Sequence, residues 1–159
     1  KCVEDEIPFD VPDTWEWVRI KTVCVINPRN SIDDNTEVSF VPMANIKEGY
    51  ANKFISDARI WKKVKKGYTH FADNDIGIAK ITPCFENKKS VVFNDLINGY
   101  GAGTTELHIV RTISGLVIPE YLLNFVNPFL SILGKAPYSD ALFISCNIFF
   151  GECISLSSI

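Results

Sequence analysis

The 159 residues, 47% hydrophobic and 22% charged, suffice for one domain that buries its own core, which excludes a disordered chain. A net charge of −3 excludes a uniformly basic nucleic-acid binder, but charge acts locally and here it is uneven. Glu4, Asp5, Glu6, Asp10 and Asp13 crowd the start, whereas Arg59, Lys62, Lys63, Lys65 and Lys66 share one stretch with no acid between Asp57 and Asp73.

Residues 1–10 read as a linker, and their acidity predicts no secretory leader. Trp15 and Trp17 flank Glu16, so an extended segment places both indoles on one face, as a core anchor. Arg19 to Ile26 fits a strand or a single helical turn, and Asn27 to Asn35 is a loop by composition. Glu37 to Val41 alternates as a strand, with Val38 and Phe40 opposite Ser39 and Val41, and Pro42 closes it. Gly49-Tyr50 predicts a turn. Trp61 and Val64 are three apart, so a helix would bury them together and turn Lys62, Lys63, Lys65 and Lys66 outward. His70 reads as a hydrogen-bonded structural residue, and His108 likewise.

Asp73-Asn74-Asp75 is a cluster of turn formers, followed by a strand pattern from Ile76 to Thr82 that Pro83 ends. A second short strand, Val91 to Phe93, follows the polar run Glu86-Asn87-Lys88-Lys89. The pattern is a β-loop-β unit with a stiff tip bearing lysines. Gly99, Gly101 and Gly103 lead into strand, not helix, so they mark a bend or a close backbone approach, not a dinucleotide loop. Thr104 to Arg111 is that strand. Pro119 to Asn127 is the best helix, with Pro119 at its first position and Pro128 ending it. Ala141 to Phe150 is the most apolar run, too short to cross a bilayer as a helix and broken by Ser145 and Asn147. The expected fold is one α/β (α+β) domain, a twisted mixed sheet with a few short helices.

Cys2, Cys24, Cys84, Cys146 and Cys153 are irregularly spaced, without a CxxC pair or a Cys/His cluster. The expectation is a reducing cytoplasm and no disulfide framework, metal or cofactor.

The run Ala79-Lys80-Ile81-Thr82-Pro83-Cys84-Phe85-Glu86-Asn87-Lys88-Lys89, followed by Gly99 to Arg111, resembles the target-recognition domain of type I restriction-modification specificity subunits. Pro12 to Arg19 and Val41 to Ile46 fit the same pattern in family order. The resemblance implies a recognition domain over 11–128 that reads one half of a split double-stranded DNA target. Methyltransferase and restriction subunits would supply the catalysis, and a second recognition domain would complete the target. The family pattern continues into a glycine-rich segment with a Gly-Gln-x-Arg type motif, a proline-rich stretch and a long docking helix. Residues 129–159 carry none of these, so they are expected to be an atypical tail produced by truncation or a shifted reading frame.

Base readout needs donors and acceptors on a rigid support, and phosphate contacts to fix register. Glu86, Asn87, Lys88 and Lys89 supply the first and Arg59, Lys62, Lys63, Lys65 and Lys66 the second. Two other readings compete: a protein-interaction remnant of such a subunit that no longer binds DNA, and a thiol hydrolase built on Cys84. The latter lacks any visible positioned base.

Overall fold

The computed structural model describes residues 15–49, 51–81, 84, 87–113, 116–125 and 143–147. In chain order the elements are β1 (Trp15–Arg19), α1 (Ile20–Val23), β2 (Cys24–Ile26), β3 (Glu37–Val41), β4 (Asp57–Ile60), α2 (Trp61–Val64), β5 (Thr69–Ala72) and β6 (Ile76–Ala79). They continue with β7 (Ser90–Val92), β8 (Tyr100–Gly103), β9 (Leu107–Thr112), α3 (119–125) and β10 (Phe143–Asn147). The stretch that fits either a strand or a helical turn is both: one turn of α1, then β2.

The strands divide between two four-stranded sheets and a pair. One sheet is antiparallel, in the order β2-β9-β6-β7. The other is mixed, in the order β4-β3-β8-β5, with β3 and β8 parallel. β1 pairs antiparallel with β10, Trp15 opposite Asn147 and Arg19 opposite Phe143. The expected α+β domain is therefore present, and its sheet is doubled. The side chains of Trp15 and Trp17 and the remainder of 129–159 lie outside the described residues.

The doubling follows from strand alternation, because successive side chains leave a strand on opposite faces. In β6, Ile76 and Ile78 join one apolar cluster with Val92, Val110, Cys24, Ile20 and Leu122, whereas Ala79 joins a second with Val91, Leu107 and Ile109. The antiparallel sheet is thus buried on both faces. Its second cluster also takes Val41 and Phe71 from the mixed sheet, so it is the layer between the sheets. The outer face of the mixed sheet presents Val38 and Ala102 to Trp61 and Val64 of α2. The resulting order is α2, mixed sheet, antiparallel sheet, then α1 with α3.

Phe71 and Phe93 stack at 3.8 Å between the sheets. That ring position explains two of the glycines. A Cβ on Gly101 would run into the Phe71 ring and lie 2.9 Å from the Ser39 carbonyl oxygen, and one on Gly103 would lie 2.7 Å from that of Val41. They are points of close approach inside β8, a strand of its own. Residues 104–106 form the turn into β9, so the strand expected from Thr104 begins at Leu107.

Candidate nucleic-acid interface

The basic stretch lies on the outer face of the mixed sheet. Trp61 and Val64 are buried, three residues apart, which leaves Lys62 and Lys63 exposed on the other side of the single turn of α2. Lys66 is also exposed. Arg59, on the edge strand β4, sets its guanidinium 5.4 Å from the centroid of the Phe40 ring. Lys65 differs, since its Nζ donates to both carboxylate oxygens of Asp34 at 2.6 and 2.8 Å. It ties α2 to the loop 27–35, and the remaining four basic groups face solvent.

The β-loop-β unit forms as expected, as an antiparallel hairpin with Ile76 opposite Val92 and Ile78 opposite Ser90. The strand closes at Ala79, whose N–H donates to the Lys89 carbonyl at 2.9 Å. Pro83 and Glu86 lie outside the described residues. Asn87 and Lys88 form the turn, with Lys88 at a positive φ of 53°. Asn87 Nδ2 donates to Glu48 Oε1 at 3.0 Å, and the Asn87 carbonyl accepts from the Gly49 N–H at 3.0 Å. Lys89 Nζ stands 3.9 Å from the same Glu48 oxygen, with its side chain only 13% exposed. The tip is thereby fastened to residues 47–49.

These two groups of predicted contact residues belong to different sheets and are not brought into one cluster. Three further cations stand on the hairpin side. Lys47 and Lys53 lie on the segment that clasps the tip, and Lys80 leaves the end of β6; all three are exposed. Their signal was only compositional, because nothing in the sequence ties 47–53 to 80–89.

Both histidines are held by hydrogen bonds. His70 Nδ1 accepts from the Asn30 N–H at 3.3 Å and Nε2 donates to the Lys65 carbonyl at 3.1 Å, the neutral tautomer. Burial pushes its pKa down, the Lys65 carbonyl opposes this, and Arg29 adds to it. His108 lies 3.4 Å from the Asn27 amide, and burial followed by Lys80 lowers it too. Asn27, at φ 50°, also exchanges hydrogen bonds with Ile109. Cys84 packs against the layer between the sheets as a small apolar group, and burial drives the Cys24 thiol up to about 12. Among the described residues no cluster of three or more His, Cys, Asp or Glu could hold a metal ion, and no helix is long and apolar enough to cross a membrane.

No protein-family model matches the chain. Among curated proteins it is 50% identical over 127 residues, 79% of its length, to the Escherichia coli type I restriction enzyme EcoAI specificity subunit. It is 47% identical over 135 residues, 84% of its length, to the EcoEI specificity subunit of the same organism. The chain is homologous to type I restriction enzyme specificity subunits. It spans 22% and 23% of the length of those two subunits. The fold agrees. The HsdS subunit from Thermoanaerobacter tengcongensis matches with a TM-score of 0.59 at 19% identity, covering 88% of this chain and 35% of that one. A chain from a structural study of complex assembly and conformational transition of the type I R-M system matches with a TM-score of 0.58 at 20% identity, covering 88% and 36%.

Proposed function

We propose that this chain is a DNA target-recognition domain of a type I specificity subunit, reading one half of a split double-stranded target in the cytoplasm. It carries no chemistry of its own and directs methylation or cleavage by methyltransferase and restriction subunits. A second recognition domain, on the same or another chain, reads the other half. The observation that carries this reading is the 50% identity to a specificity subunit over 127 residues. Arg59, Lys62, Lys63 and Lys66, exposed on one face, suit sequence-independent phosphate contact, and Asn87 on the braced hairpin has the donor and acceptor for a base edge. The thiol-hydrolase reading has no support in the packing of Cys84 or in the bonding of the two histidines.

The test is selection of a random duplex library on the purified chain at moderate salt, followed by binding of the winning duplex across a salt series. A short continuous motif should emerge. Neutralising Lys62, Lys63 and Lys66 together with glutamine should make the salt dependence shallower by about 0.9 in log–log slope for each phosphate that the protein ceases to neutralise. Selection of no motif by the folded chain would overturn the reading and favour a protein-interaction remnant.

A further inference from the structure

Glu48 is an acid where an acid is costly if DNA approaches. It sits on the clasping segment beside the tip, 58% exposed in its side chain, and accepts from Asn87 while pairing with Lys89. A lone carboxylate there would repel a phosphate backbone. Lys89, its side chain 13% exposed, sets a positive charge 3.9 Å from that carboxylate.

The segment carrying Glu48 is itself a closed structure. The Lys47 N–H donates to the Lys53 carbonyl at 3.0 Å, and Ile46 and Phe54 form an antiparallel bridge beneath. Ile46 is buried, and Phe54 meets the Phe93 ring edge-on at 5.3 Å. Asn52, at φ 46°, accepts from the Val92 N–H at 2.7 Å, which fastens the far side of the segment to β7. Together with the Gly49 and Glu48 bonds to Asn87, it is held to the hairpin at both ends.

We infer that this segment and the β6–β7 hairpin act as one reading head, in which Glu48 positions Asn87 and Lys89 while Lys47, Lys53 and Lys80 meet the flanking phosphates. The inference rests on the DNA-recognition reading above. A primary amide has two N–H donors and an acceptor oxygen. With one N–H given to Glu48, Asn87 keeps a donor and the oxygen, the pair that adenine N7 and N6 require in the major groove. Holding the amide in place before binding removes the rotamer entropy that a free asparagine would lose on contact. Lys47, Lys53 and Lys80 are exposed and make no ion pair among the described residues, so their charge is available to a polyanion.

The test compares the parent chain with Glu48→Ala, Glu48→Gln and the triple Lys47→Gln, Lys53→Gln, Lys80→Gln variant, on the selected duplex and on a scrambled duplex of equal length. Glu48→Ala should lose about tenfold in affinity for the selected duplex, the lower end of what a bidentate base contact is worth. Its affinity for the scrambled duplex should hold or rise, because a negative charge has gone. Glu48→Gln keeps an acceptor for Asn87 and should stay close to the parent in selectivity. The lysine triple should weaken both duplexes alike and flatten the salt dependence. An unchanged ratio of selected to scrambled affinity in Glu48→Ala would overturn the inference and leave the recognition reading standing. A parent chain that selects no duplex would overturn both.

Discussion

Asp75 is 1% exposed, and both of its carboxylate oxygens are engaged. Arg111 Nε and Nη2 donate to them at 2.7 Å each, the Ala72 N–H adds a third bond at 2.7 Å, and Arg111 Nη2 also reaches Asn30 Oδ1 at 3.0 Å. Burial pushes the Asp75 carboxyl above its usual range, with the Arg111 and Ala72 hydrogen bonds opposing, while the Asp75 hydrogen bond holds Arg111 more firmly protonated. Because β9 belongs to the antiparallel sheet and Ala72 to the mixed one, the pair staples the two sheets together. Arg111→Met should cost about 3 kcal/mol in urea unfolding, since it strands a buried carboxylate. The variant's carboxyl rises further, so the folded state then binds more protons than the unfolded chain, and stability falls as pH climbs through the raised value. The deficit should therefore be larger at pH 8 than at pH 5; equal deficits would exclude Asp75 as its source. None of this was visible in the sequence, where Asp75 is one of three turn formers and Arg111 the end of a strand.

At the scale of elements the sequence was more informative, because its periods decide strands and turns directly. The hairpin of β6 and β7, the helical turn that buries Trp61 with Val64, and the start of α3 at Pro119 all follow from spacing and proline placement. Unreadable were the partners of each element. Gly101 and Gly103 showed that something comes close, but not that it is the Phe71 ring on the neighbouring strand β5. Gly101→Ala should destabilise the protein by about 2 kcal/mol, in the usual range for an overpacked core site. The Ser39 carbonyl cannot move without breaking the pairing of β3 and β8, whereas the ring can be replaced. Adding Phe71→Leu should accordingly cost less in the Gly101→Ala background than in the parent, a coupling that a double-mutant cycle in urea measures. Strict additivity would mean that the Phe71 ring is not what selects glycine and would leave the Ser39 carbonyl as the cause.

For the molecule as a whole, composition promised a buried core and delivered three apolar layers, yet the fastening between layers is polar and was hidden. The loop 27–35, a string of turn formers in the sequence, is pinned to the mixed sheet through Asn30, whose N–H bonds His70 and whose Nδ2 donates to the Phe71 carbonyl at 2.8 Å. His70 in turn lies 4.5 Å from the Trp61 ring and donates to the Lys65 carbonyl, so one imidazole joins this loop, β5 and the segment after α2. Protonating Nδ1 would set its new N–H against that of Asn30. His70 and His108 both titrate below the ordinary 6.5 in the folded protein, chiefly through burial. The unfolded chain then binds more protons than the folded one just below 6.5, so stability is fully present above that pH and drains away as pH falls toward the folded values. The urea midpoint should hold steady from pH 8 to 7 and decline from about 6.5 downward, with ordinary carboxylates contributing little until lower pH. His70→Gln should be less stable than the parent at pH 8, having lost a bridging group, but should decline less steeply below 6.5. If the two curves run parallel, the acid sensitivity belongs to His108 or to carboxylates, and the His70 bridge holds the layers together without sensing pH.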